Sequence, residues 1–113
     1  MSSTLNKTVA RSGTRIPCQI PITLTSLHPD HSFSEPCQIV LANLRGCAAR
    51  ISRSVEVGQA VQLQGLPVDT NVTARVANCI SLGKHEKLWL LGLVLDQPGN
   101  VWGIQTPPED WNE

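Results

Sequence analysis

Val72-Thr73-Ala74-Arg75-Val76-Ala77 sets an apolar residue at every second position, and after Gly83-Lys84-His85-Glu86 the chain is apolar again from Leu88 to Leu95. A period of two belongs to a strand whose side chains alternate between two faces, and Gly among polar residues between two such runs marks a turn. The pair predicts a β-hairpin, one strand over 72–80 and the next over 88–95. Upstream, Val61 and Leu63 alternate with Gln62 and Gln64 between the turn at Val57-Gly58 and the break from Gly65 to Thr70. Cys37 to Ala42 and Ala48 to Ile51 read as two further strands separated by Asn43-Leu44-Arg45-Gly46. The first strand is expected over Gln19 to Leu27, ahead of the turn His28-Pro29-Asp30-His31-Ser32, with Pro17 and Pro21 fitting only an edge or a strand start. Six short strands with no segment of helical period predict an all-β fold, a closed or nearly closed six-stranded antiparallel barrel.

Beyond the last strand, Gln97 to Gly103 and Pro107 to Trp111 are rich in turn residues yet carry Trp102 and Trp111. Indole rings are costly to leave in water, so the tail is expected to fold back on the barrel, with one helical turn starting at the Pro pair.

The chain has 113 residues, of which 41% are hydrophobic, with eight Gly and eight Pro. That suits one folded, turn-rich domain with its own core. Residues 1–10 are polar and are expected to form a flexible arm, leaving 11–111 as the barrel domain. Nine basic and nine acidic residues cancel. No global field then draws the protein to DNA, RNA or an anionic membrane, and any anion site must be local. The N-terminal stretch lacks the apolar core of a signal peptide, and no apolar run approaches the length of a bilayer span, so the expectation is a cytoplasmic protein without membrane insertion. Cys18, Cys37, Cys47 and Cys79 lack the close pairing of zinc ligands or redox dithiols and read as small buried hydrophobes. His28, His31 and His85 read as exposed loop residues, not as a metal site. No nucleophile motif or carboxylate pair stands out, so the protein is not expected to be an enzyme.

Two stretches carry groups suited to a ligand. Arg11-Ser12-Gly13-Thr14-Arg15 places two guanidiniums four residues apart just before the first strand. Each is a planar fork of donors that can grip phosphate or the O6/N7 edge of guanine. Leu41-Ala42-Asn43-Leu44-Arg45-Gly46 offers an Asn that can donate and accept at a base edge, and a Gly that permits a positive φ beside a flat ligand. Taken singly, each stretch also reads as something plainer, a solubilising basic arm and an ordinary Asn/Gly turn.

Taken together, the two stretches resemble the motifs of the PilZ domain family. Its members have Arg-x-x-x-Arg before the first barrel strand and Asp/Asn-x-Ser-x-x-Gly after the second. Arg11 and Arg15 match the first motif. In the second, with Gly46 on the family's Gly, Asn43 falls on the Ser and Leu41 on the Asp/Asn. A shifted register puts Asn43 on the Asp/Asn but sacrifices the Gly, because Ala48 then takes its place. The resemblance covers roughly residues 11–111. It implies a six-stranded PilZ-like barrel, a cytoplasmic receptor for the bacterial second messenger cyclic di-GMP with no cofactor, and a ligand site of Arg11, Arg15, Asn43 and Gly46. It also implies an output through ordering of the arginine linker toward a protein partner. The Leu41 departure makes room for an alternative, an interaction module that kept the barrel and lost the nucleotide.

Overall fold

The computed structural model describes residues 14–68, 71–85 and 87–111. Six strands form, β1 (Ile16–Ser26), β2 (Ser34–Ala42), β3 (Gly46–Ile51), β4 (Ala60–Gln64), β5 (Val72–Ser81) and β6 (Trp89–Leu95). They close into an antiparallel barrel in the order β1-β2-β3-β6-β5-β4. Hairpins join β1 to β2, β2 to β3, β4 to β5 and β5 to β6, while residues 52–59 cross from β3 to β4. The alternation read from the sequence supplies the core: Leu24, Ile39, Ala49, Val61, Leu63, Ala74 and Leu91 are fully buried inside the barrel. Val55 and Leu66, from the loops after β3 and β4, join the same core.

β1, β2 and β3 each begin two or three residues earlier than the apolar pattern alone indicates. Backbone pairing between neighbours, which side-chain periodicity does not report, extends them. Pro17 and Pro21 are accommodated because residues 16–22 of β1 pair with β2 alone, and β4 joins only over Thr23–Ser26. The first half of β1 is therefore an edge, where a missing N–H leaves no ladder bond unmade.

Three irregularities interrupt the ladders. Register shifts fall between Pro17 and Ile20 in β1, between Ile39 and Leu41 in β2, and between Val76 and Asn78 in β5. A bulge adds one residue to a strand and so reverses which face the following side chains take. Val72, Ala74 and Val76 face the core, yet Asn78, of the same parity, emerges on the outer surface. In β2 the same device turns Leu41 outward although Cys37 and Ile39 point inward.

The tail packs as its tryptophans require. Trp102 and Trp111 are both buried. A single 3-10 turn over Glu109–Trp111 follows Pro107-Pro108, with the Trp111 N–H donating to the Pro108 carbonyl at 3.0 Å. Among the described residues no helix is long and apolar enough to cross a membrane.

Candidate functional site

On the outer face of the barrel, directly paired residues form a row across five strands: Pro17, Leu41, Ala48, Gly92 and Asn78. Its middle members, Ala48 and Gly92, stand nearly bare. Here lies a cavity of about 350 Å³, floored by those two residues and bordered by Leu41, Leu90, Ile80 and Val94. Its size falls at the lower end of the roughly 300–1,000 Å³ common for small-molecule sites. Polar groups enter from both ends, Arg15, Asn43 and Arg45 at one and Asn78 at the other. All three bulges adjoin the row, and those in β2 and β5 aim Leu41 and Asn78 at the cavity.

The sequence-predicted residues meet here in part. Arg15 lies one residue before β1, is exposed, and lines the cavity with Asn43 and Gly46. Arg11 lies outside the described residues, as does the expected arm over 1–10.

The turn from Asn43 to Gly46 is tightly specified. The Asn43 side-chain Oδ1 accepts from the N–H of Arg45 at 2.9 Å and from that of Gly46 at 2.8 Å, and the Asn43 N–H donates to the Gly46 carbonyl at 2.9 Å. These are the self-capping bonds by which Asn commonly closes a turn. Oδ1 is thus committed to the backbone, which leaves the amide N–H groups as what the Asn43 side chain can offer a ligand. Gly46 departs from expectation in a different way: it does not sit in the positive-φ region. Glycine is required there because a Cβ would stand 2.0 Å from the backbone oxygen of Leu93 on β6. It allows a close approach of two strands, not a reversal of the chain.

Both indoles of the tail fasten these segments. Trp102 Nε1 donates to the Asn43 carbonyl at 2.7 Å, and Trp111 Nε1 donates to the Thr14 carbonyl at 2.8 Å. Asp110 Oδ2 also accepts from both the backbone N–H and the hydroxyl of Thr14. The C-terminal turn therefore grips the residue next to Arg15 from 97 positions away in sequence.

The four cysteines form no disulfide, with Cys37 buried and Cys18, Cys47 and Cys79 partly buried against the core. Burial pushes the Cys37 thiol up to about 12 and raises Cys18. For Cys47, burial is again the main cause of a raised value, with Cys37 and Cys18 adding to it. Thiols held protonated in this way are poor nucleophiles. His28 and His31 are exposed in one loop, ring centroids 4.8 Å apart, and His85 is exposed in the β5–β6 connection.

Compared with known proteins, the chain matches no protein-family model, and no curated protein is detectably similar to it.

Sequence reasoning missed the part that four residues play at this site. Asn78 looks like one more member of an alternating strand, and only the bulge reveals its outward aim. Gly92, inside an apolar run, gives the one available signal, since a lone Gly within a strand often marks a close approach. Trp102 and Trp111 were recognisable as buried anchors, but not as the groups that hold the two candidate segments.

Proposed function

We propose that this protein is a non-enzymatic, PilZ-like receptor for cyclic di-GMP, in which the arginine segment before β1 closes over a ligand seated in the outer-face cavity. The observation that carries this reading is the meeting of Arg15 with the 41–46 segment along one cavity, since the two stretches were singled out on separate chemical grounds. Guanidinium forks suit the phosphates and guanine edges of such a ligand. The bare floor of Ala48 and Gly92 suits a flat base. The steric demand for glycine at 46 favours aligning Gly46 with the family's Gly, which leaves Leu41 where a carboxylate or amide is expected. Losing one polar partner costs about 1–3 kcal/mol, so affinity is reduced by roughly 5- to 150-fold and not abolished. Ordering of the arginine segment would then change the surface offered to a cytoplasmic protein partner.

Calorimetric titration with cyclic di-GMP tests the reading. The parent protein is expected to bind, and Arg15→Ala and Arg11→Ala to lose binding while melting within a few degrees of it. An Arg15→Ala variant that binds as tightly as the parent would overturn the assignment.

A second reading has its own support. Leu41 lines the cavity, and Ile80 and Val94 stand about half exposed at its border, at 52% and 51%. Such a border suits a protein contact without nucleotide. Leu41→Asp separates the two readings. Leu41 faces the cavity and not the core, so the new carboxylate stays hydrated, and tighter binding of cyclic di-GMP is expected on the receptor reading alone.

A further inference from the structure

Asn78 stands at the end of the cavity opposite Arg15, and two features of the backbone serve to place it there. The bulge between Val76 and Asn78 takes it off the core face, where its parity would otherwise have left a buried amide. Directly across the ladder is Gly92, and a Cβ built there would lie 2.6 Å from Asn78 Oδ1 and 2.9 Å from both Cγ and Nδ2. The amide therefore lies over the glycine, across the cavity floor, in space that any other residue at 92 would fill. The other residues lining that end, Ala77, Ile80, Leu90 and Val94, are apolar, and Arg75, paired with Val94, is outside the lining, so the amide is the polar group of the cavity wall there.

Resting on the receptor reading above, we propose that Asn78 is a specificity-determining residue that reads the edge of a purine at the far end of the cavity. From Leu41 to Asn78 the row crosses three strand spacings, roughly 14 Å along the sheet. That is more than one base can bridge, so the base near Asn78 is a different one from the base near Arg15. A cyclic dinucleotide supplies two. A side-chain amide donates and accepts side by side, which matches the adjacent N1–H donor and O6 acceptor on the Watson–Crick edge of guanine, as it matches N6–H and N7 of adenine. The bare glycine leaves the amide room to lie over the cavity floor, within reach of a base seated there.

The test is a binding cycle on the full chain, with cyclic di-GMP and cyclic di-UMP as probes. Asn78→Ala is expected to weaken cyclic di-GMP by about 5- to 150-fold and to narrow the preference for it over cyclic di-UMP, with the melting temperature unchanged because Asn78 is on the surface. Gly92→Ala displaces the flexible end of the Asn78 side chain and should weaken binding similarly. Placed in the Asn78→Ala background, it should add little. The proposal fails if Asn78→Ala leaves affinity and purine preference as in the parent, or if Gly92→Ala costs as much without the amide as with it. If the parent binds neither probe, the receptor reading falls with it. If the parent binds and Arg15→Ala alone matters, only the role of Asn78 is overturned.

Discussion

The two segments beside the cavity are held in opposite ways. The Asn43–Gly46 turn is part of the barrel. It is closed by three short-range hydrogen bonds, pressed against β6 where a Cβ would collide, and covered by Trp102. The segment leading to Arg15 is tied to the barrel from outside, through Thr14 to Asp110 and Trp111 of the tail. That tie carries its own cost. Asp110 Oδ1 is buried with no hydrogen-bond partner among the described residues, so part of the carboxylate's desolvation goes uncompensated. One side of the cavity is thus a floor built into the barrel, and the other an arm held through the tail. A mutation in the floor should register as lost stability, and one in the arm as altered binding.

The largest effect is expected at Trp102, which belongs to the core and also donates to the Asn43 carbonyl. Trp102→Ala should cost about 3–5 kcal/mol, read by chemical denaturation, and truncation after Gln97 should cost at least as much. Melting of the truncated chain at the temperature of the full one would show that the tail does not support the floor. Next comes Gly46→Ala, where the added methyl meets a backbone oxygen that cannot swing aside. About 3 kcal/mol is expected, the upper end for overpacking, and an Ala variant of parental stability would mean that β3 and β6 can separate at little cost.

Trp111→Phe sharpens the contrast. It keeps most of the buried ring and deletes the bond to Thr14, so the expected cost is about 1 kcal/mol of stability. On the receptor reading, weaker binding of cyclic di-GMP should accompany it, because Arg15 is no longer held at the cavity. Equal effects of Trp111→Phe on stability and on affinity would erase the distinction between arm and floor.

The smallest effect is a pH dependence set by buried thiols, chiefly those of the floor. Cys37 and Cys47 point inward from the strands that carry it, and burial raises both thiols, Cys37 to about 12. In the unfolded chain a thiol ionises near its ordinary value of roughly 8.5. Between that value and about 12 the unfolded state sheds a proton that the folded state keeps. Stability is therefore full below the unfolded value and falls as pH rises through this window. Melting curves should show a steeper alkaline decline in the parent than in Cys37→Ala, and parallel declines would exclude the thiol as the cause.

Much of this molecule was legible in the order of its residues. Period-two alternation from Val72 to Val76 and in Val61 and Leu63, bounded by Gly and Pro, determined six strands with one apolar face each, because a strand must bury that face and a turn needs residues that tolerate it. Two tryptophans among prolines determined a tail that packs. Arg15 and Asn43 stood out because their functional groups are distinctive at any position. What only the tertiary structure decided is where these groups meet. The extra residues at the β2 and β5 bulges reverse the facing of Leu41 and Asn78, and a ladder's register depends on both strands at once, so neither segment read alone reveals it. Gly46 must be glycine, but not for the positive φ expected of it, since the atom that forbids a side chain there belongs to Leu93, 47 residues further along the chain. The grip of Asp110 and Trp111 on Thr14 joins the two ends of the domain. It exists only because closing the barrel brings those ends together, a consequence of chain topology that no local pattern of residues encodes.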